Sequence, residues 1–240
     1  MRLIFILMFV CASGLVFAKD TKEIVVATES WKGATNHDGS GLYWDIMKRV
    51  YEPLGYTIVK KHTSYEESVK MVKNGDADLY LGSYIDEHTF VLYPKYYFDQ
   101  DIVIAVFNTE AIDKWEGKKS LRDMNVGWVR GYDFDKYLNV KVHKKEFSTR
   151  NNGLKLLKNQ RLDAFVDDRD DIKPYLVKAK LDPEYFKQKI IMQLKLYPAF
   201  SNNVFGQKLK TTWDKQMGKL IQTEAFKELY FNSEYAIFPY

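Results

Sequence analysis

The chain has 240 residues, 28% charged and 46% apolar, with a formal net charge of +4 and one cysteine. Its lysines and arginines are interleaved with acids along the whole length, which excludes the basic patch that nucleic acid requires. A lone cysteine excludes an intrachain disulfide and a sulfur-rich zinc site, so stability has to come from packing.

The first 18 residues read as a secretory signal. Arg2 supplies a positive start, Leu3–Val10 is an unbroken apolar run, and Val16-Phe17-Ala18 ends on a small residue before Lys19. As a membrane anchor, Leu3–Ala18 is interrupted at Ser13 and Gly14 and is shorter than the ~20 apolar residues a span takes. Cys11 raises a lipoprotein alternative, but bulky Phe9 and Val10 stand where that processing wants small residues. Cleavage after Ala18 leaves residues 19–240, cysteine-free and long enough for one large domain or two lobes of ~100 residues. No later stretch approaches a membrane span.

Glu23–Thr28 (EIVVAT) is a β-branched run, the mark of a strand buried on both faces. Glu29-Ser30-Trp31 opens a polar loop, and Gly39 and Gly41 punctuate the approach to a helix whose apolar face holds Tyr43, Ile46, Met47 and Val50. Gly55 ends it and Tyr56–Val59 is a second strand. Ser64-Tyr65-Glu66-Glu67 is a capping box opening a helix that Gly75 stops. Ala77–Leu81 then alternates as a strand ending at Gly82-Ser83, so the order is βαβαβ and the sheet should be parallel.

Ile102–Phe107 reads as a strand crossing between lobes, after which the pattern restarts. Ser120–Asp123 is a helical turn and Val126–Val129 a strand ending in the loop Arg130-Gly131-Tyr132. A helix through Leu154 and Leu157 leads to the strand Leu162–Val166, which ends at Asp167-Asp168. Ile172, Tyr175 and Leu176 begin the next helix, with Pro174 expected in its first turn. Met71–Leu81 and Leu156–Val166 both read as helix, polar turn and strand with an acid near the strand's start, which is the pattern of an internal duplication. The remainder is helical, with Trp213, Met217, Leu220 and Ile221 on one face.

Catalytic signatures are missing: no G-x-S-x-G elbow, no phosphate loop, no dinucleotide turn, and four scattered histidines (His37, His62, His88, His143) without H-E-x-x-H. Neither a metal nor another cofactor is expected. A binding site is easier to place, because ligands sit beyond the carboxyl ends of parallel strands. Those ends carry Glu29, Trp31, Ser83, Tyr84, Arg130, Tyr132, Asp167 and Asp168. Acids and aromatic rings together suit a cationic group, which carboxylates pair and a ring face attracts by ~0.5–2 kcal/mol. Each has a plainer alternative: Glu29 as a solvated strand end, Trp31 as a lid on the core, Arg130 in a surface ion pair. Of Asp167 and Asp168, one is expected to cap a helix and the other to bind.

Read in order, Val25-Val26-Ala27-Thr28-Glu29, Asp38–Ile46, Asn74–Leu79 and Leu162–Asp168 resemble the bacterial family-3 extracellular solute-binding proteins, the periplasmic amino-acid-binding type. The resemblance spans nearly all of residues 19–240 and implies an α/β, type II periplasmic-binding-protein fold. That fold has two α/β lobes joined by two crossing strands, with a ligand cleft between them. Residues 19–104 and 194–240 would form one lobe and 105–193 the other.

The resemblance puts Glu29 at the family's ligand-facing acid and Trp31 near its stacking aromatic. It puts Ser83 near the family's strand-end hydroxyl and Asp168 at the second-lobe acid that holds an α-amine. In Ile85-Asp86-Glu87-His88-Thr89, His88 stands where the family usually has the arginine that grips a carboxylate. Unless Arg130 compensates from the other lobe, the carboxylate clamp is weakened, and an amine or neutral polar ligand is expected. The implied role is that of a monomeric periplasmic protein that closes on a small solute for an ABC permease. The alternatives are a receptor for a membrane sensor, an exported dehydratase-like enzyme using His88 or Glu29, and a module that has lost its site.

Overall fold

The computed structural model describes residues 22–233 and 235–240; the signal segment expected over residues 1–18 lies outside them. Strand β1 (Lys22–Thr28) pairs in parallel with β2 (Tyr56–His62) and β3 (Leu79–Tyr84). Helices α1 (Leu42–Tyr51) and α2 (Tyr65–Asn74) make the two connections. This is the βαβαβ half expected from the sequence. Ser64 Oγ accepts from the Glu67 N–H at 3.2 Å, and Gly75 ends α2 in the left-handed region at φ 86°. The short β4 (Val91–Leu92) follows.

The second half repeats this plan. Strand β6 (Asn125–Val129) pairs in parallel with β7 (His143–Phe147) and β8 (Ala164–Asp168). The short α3 (Asp135–Leu138), then α4 (Arg150–Lys158), provide the connections, and α5 (Arg169–Ala179) follows. The two halves share one device. Asp78 Oδ2 accepts from the Val25 N–H at 2.8 Å, and Asp163 Oδ2 accepts from the Asn125 N–H at 2.7 Å. In each half, the acid before the third strand ties it to the first.

Two antiparallel strands join the halves: β5 (Asp99–Asn108) and β9 (Phe186–Ser201). They pair with each other from Asp99↔Leu196 to Asn108↔Phe186, with a bulge beside Val103 and Ile104. Strand β9 continues onto β3 and β5 pairs with β8, so the sheet runs β2-β1-β3-β9-β5-β8-β6-β7. This is the two-lobed mixed α/β architecture anticipated from the sequence. Helices α6 (Val204–Leu220) and α7 (Glu224–Ser233) return to the first lobe, where Trp213, Met217, Phe226 and Tyr230 are buried with Trp44 and Tyr51 of the α1 region.

Four elements were not legible, the two-residue β4 among them. The edge strand β7 reads HKKEF, largely polar and exposed; it pairs only with β6 and packs inward through Phe147. The turn α3 is too short to show a periodicity. Strand β9 is interrupted by Pro198, which sits at the register shift opposite Leu81-Gly82, where a missing N–H costs no ladder bond. Pro174 also departs from expectation: it lies inside α5, not in its first turn. Among the described residues, no helix is long and apolar enough to cross a membrane.

Candidate functional site

The loop after β1 is shaped by its own hydrogen bonds. Thr35 Oγ1 donates to the Glu29 carbonyl at 2.6 Å and accepts from the Trp31 N–H at 2.9 Å. This sets the Trp31 indole over Gly82 of β3, where a Cβ would come within 2.7 Å of the ring. Gly82 also has φ 85°, so two constraints demand glycine there. Gly82→Ala is expected to cost about 1–2 kcal/mol from the backbone alone and to displace Trp31. A lower urea midpoint with reduced binding is the expected result; an unchanged midpoint contradicts it.

Between the lobes lies a cavity of about 30 Å³ whose lining includes Trp31, Tyr43, Tyr65, Tyr84, Tyr132 and Tyr235, together with Asp101, Asp168 and Asp171. A water needs 10–15 Å³, so a solute of several heavy atoms enters only as the lobes part. Two larger clefts flank it, of about 440 Å³ and 740 Å³.

The lining is a ring of aromatics backed by carboxylates. Tyr65 packs edge-on against Tyr132 across the lobes, 5.7 Å between centroids, and Trp31 against Tyr43 at 6.3 Å. Tyr84 donates to Asp101 Oδ2 and Tyr43 to Asp99 Oδ2, each at 2.6 Å. Asp168 caps α5 by accepting from the Asp170 and Asp171 N–H groups on Oδ1, while Oδ2 accepts from the Ile102 N–H at 3.1 Å. A carboxylate has about four acceptor positions, so Asp168 retains one while it holds both the helix and the crossing strand. Burial pushes Asp99 and Asp171 up to about 7 and raises Asp101 well above the usual carboxylate range.

One cation balances part of this charge. Arg150, at the start of α4 and 8% exposed, forks onto Asp167 through Nε (2.7 Å) and Nη2 (3.2 Å). Its Nη2 also donates to Asp171 Oδ2 at 2.6 Å and to the Tyr132 hydroxyl at 3.0 Å. Its guanidinium lies 5.6 Å from the Tyr132 ring centre and 5.7 Å from that of Tyr175. Two carboxylates thus occupy the one guanidinium that is buried among the described residues.

Of the residues singled out in the sequence, Trp31, Tyr84, Tyr132 and Asp168 line the cavity together. Glu29 faces the 740 Å³ cleft, where Oε2 accepts from the Tyr65 N–H at 3.2 Å and burial raises its carboxyl. Asp167 is fully buried against Arg150, so it is neither the cap nor a lining residue; Asp168 is both. Ser83 is also fully buried. Its hydroxyl donates to Glu87 Oε2 at 2.9 Å and lies beside the Tyr80 and Tyr93 hydroxyls.

His88 and Arg130 lie apart from the cavity, in a separate groove with Lys70 and Lys73, and Arg130 is exposed. Arg130 therefore is not among the residues lining the cavity. It follows β6 by one residue, and the turn through Gly131 directs Tyr132, not Arg130, into the cleft.

Sequence reasoning passed over Tyr43, Tyr65, Asp101, Arg150, Asp171 and Tyr235. Tyr43 belongs to the predicted apolar face of α1 and Tyr65 to the capping box of α2; both are buried, but each stands in the first turn of its helix, where the strand ends converge. Asp101 lies on a crossing strand, outside the strand-end rule. No group of three or more His, Cys, Asp or Glu among the described residues is placed to hold a metal ion.

The sequence matches no family model and no curated protein. Solved structures are similar in fold. A histidine-bound substrate-binding protein of an ABC uptake transporter from Streptococcus pneumoniae superposes with TM-score 0.65 at 17% identity, covering 89% of this chain and 93% of that one. The glutamate-bound GluR0 ligand-binding core from Nostoc punctiforme gives 0.63 at 16%, covering 87% and 98%. An ancestral amino-acid-binding protein, a precursor of cyclohexadienyl dehydratase, gives 0.64 at 15%, covering 88% and 94%. The chain therefore has the type II periplasmic-binding fold of the amino-acid-binding proteins of ABC transporters.

Proposed function

We propose that this protein is an exported solute-binding protein that closes its two lobes on a small organic cation, an ammonium-bearing solute without a free carboxylate. The observation that carries this reading is the lining of the cavity. Six aromatic rings line it with Asp101, Asp168 and Asp171, and no guanidinium is among its lining residues; Arg150 nearby is already held by Asp167 and Asp171, and Arg169 in the flanking clefts by Asp170. Ring faces and carboxylates attract a cation, whereas a ligand carboxylate would meet like charge and find no unoccupied fork.

On this reading the signal over residues 1–18 sends the chain to the periplasm, where it works as a monomer and delivers its ligand to an ABC permease. The hinge lies where β5 and β9 cross, near residues 104–105 and 193–194, beside the bulge in their pairing. Hinge closure brings Tyr65 of one lobe to Tyr132 of the other. Binding without turnover is the behaviour this reading expects.

A thermal-shift screen of residues 19–240 tests this against methylammonium, choline, polyamines, amino-acid esters and free α-amino acids. A ligand at 100 times its Kd adds about 2.7 kcal/mol to the native state. Shifts with amines and esters but not with the free acids are expected. Shifts confined to free α-amino acids would falsify the cation assignment.

A further inference from the structure

After α7 the chain does not pack as a helix but lies as the segment Tyr235–Tyr240 along the mouth of the cleft. It is anchored at its far end to the first lobe. Tyr97 Oη donates to the Pro239 carbonyl at 2.7 Å, and Tyr240 Oη donates to the Tyr97 carbonyl at 2.5 Å, with the two rings 4.9 Å apart. Phe238 packs against Phe226 and Tyr230 on the buried face of α7, at 6.4 and 5.5 Å. The near end is different. Tyr235 packs edge-on against Tyr43 at 5.6 Å, and a Cβ on Gly33 would lie 3.1 Å from its ring.

Tyr235 lines the 30 Å³ cavity and also both flanking clefts of about 440 and 740 Å³. It is the one residue shared by all three; Asp101 and Asp168 also stand between the cavity and the first cleft, and Trp31 and Asp171 between the cavity and the second. We propose that Tyr235, presented by the anchored 235–240 segment, is the third wall of the inter-lobe site and sets the largest cation it accepts. Removing the ring joins the three spaces. This rests on the solute-binding reading and adds to it a size filter that belongs to neither set of parallel strands.

The test is calorimetric titration of wild type, Tyr235→Ala, Tyr235→Phe and a chain lacking residues 234–240, using methylammonium, choline and spermidine. Wild type is expected to prefer the smaller ions. Tyr235→Ala and the shortened chain should lose about tenfold in affinity for the best wild-type ligand, the scale of one lost cation–π contact, and shift preference toward the larger ions. Tyr235→Phe, which keeps the ring, should match wild type. Circular dichroism melts identify any variant that fails to fold, and Tyr235→Ala leaves the Phe238 and Tyr240 anchors in place.

Wild type binding a cation with Tyr235→Ala unchanged in affinity and preference overturns the size filter and leaves the function standing. Wild type binding none of the ions overturns the cation reading and the filter with it. Amide exchange then decides the wall by itself: faster exchange over residues 31–43 and 99–102 in Tyr235→Ala supports it, and identical exchange removes it.

Discussion

Replacing Arg150 by alanine is expected to lower the stability of the folded chain by about 3–5 kcal/mol, the scale for removing one partner of a buried ion pair. The change strands Asp167, which is fully buried and accepts both prongs of the guanidinium fork. It also releases Asp171 and leaves the Tyr132 hydroxyl without its donor. For a chain of this length the loss corresponds to roughly 10 °C in melting temperature.

The pH dependence identifies the cause. Burial already pushes Asp167 up to about 6 with Arg150 beside it, and removing the cation raises it further. Protonation then relieves the stranded charge, so the deficit of Arg150→Ala is expected to be smaller at pH 5 than at pH 8. Urea unfolding at both values is the measurement. A deficit equal at both, or larger in acid, would show that lost packing and not stranded charge dominates. Arg150→Lys should recover only part of the loss, because an ammonium cannot form the fork.

A small ammonium ion is expected to bind about tenfold more tightly at pH 8 than at pH 6, the change for a single site that must lose a proton with a pKa near 7. Asp171 and Asp99 are both pushed up to about 7 by burial, and Asp101 is raised as well. Near neutrality the ligand-free cleft holds protons, and an arriving cation displaces them. The ligand-free protein should behave oppositely. These carboxyls have folded values above their unfolded value of ~3.9, so their contribution to stability is full below about pH 4. It is lost as pH rises through 7. Calorimetry in buffers of different ionisation enthalpy reads the proton release directly, and Asp171→Asn should flatten the profile. Affinity that stays level or falls between pH 6 and pH 8 rules the coupling out.

The two β-branched strand runs, the glycine stops at Gly55 and Gly75 and the capping box at Ser64 were legible because each is a local preference, set within a few residues. The repeated acid before the third strand was legible as a pattern, and the structure shows what the repeat does: Asp78 and Asp163 make the same bond to the strand beside them. Long strand β9 was not legible, because its partners β3 and β5 lie ~80–120 residues away in the chain and supply its hydrogen bonds.

The same division holds at the site. Strand-end reasoning reached Trp31, Tyr84, Tyr132 and Asp168, since a parallel sheet dictates where its loops converge. It also named Ser83, Asp167 and Arg130, and the family resemblance added His88; these side chains turn elsewhere: to Glu87, to Arg150, and into a separate groove. Neighbouring residues at a strand end point to opposite sides, and which side meets the cleft depends on how the other lobe sits. By itself, the sequence determined the lobes, their order and the anionic, aromatic character of the strand ends, because these follow from local periodicity and composition. Only the tertiary structure decided that Arg150 is paired with Asp167 and Asp171, that Asp101 of a crossing strand lines the cavity, and that Tyr235 lines it too. Each of those rests on contacts between segments distant in the chain, and no local preference encodes them.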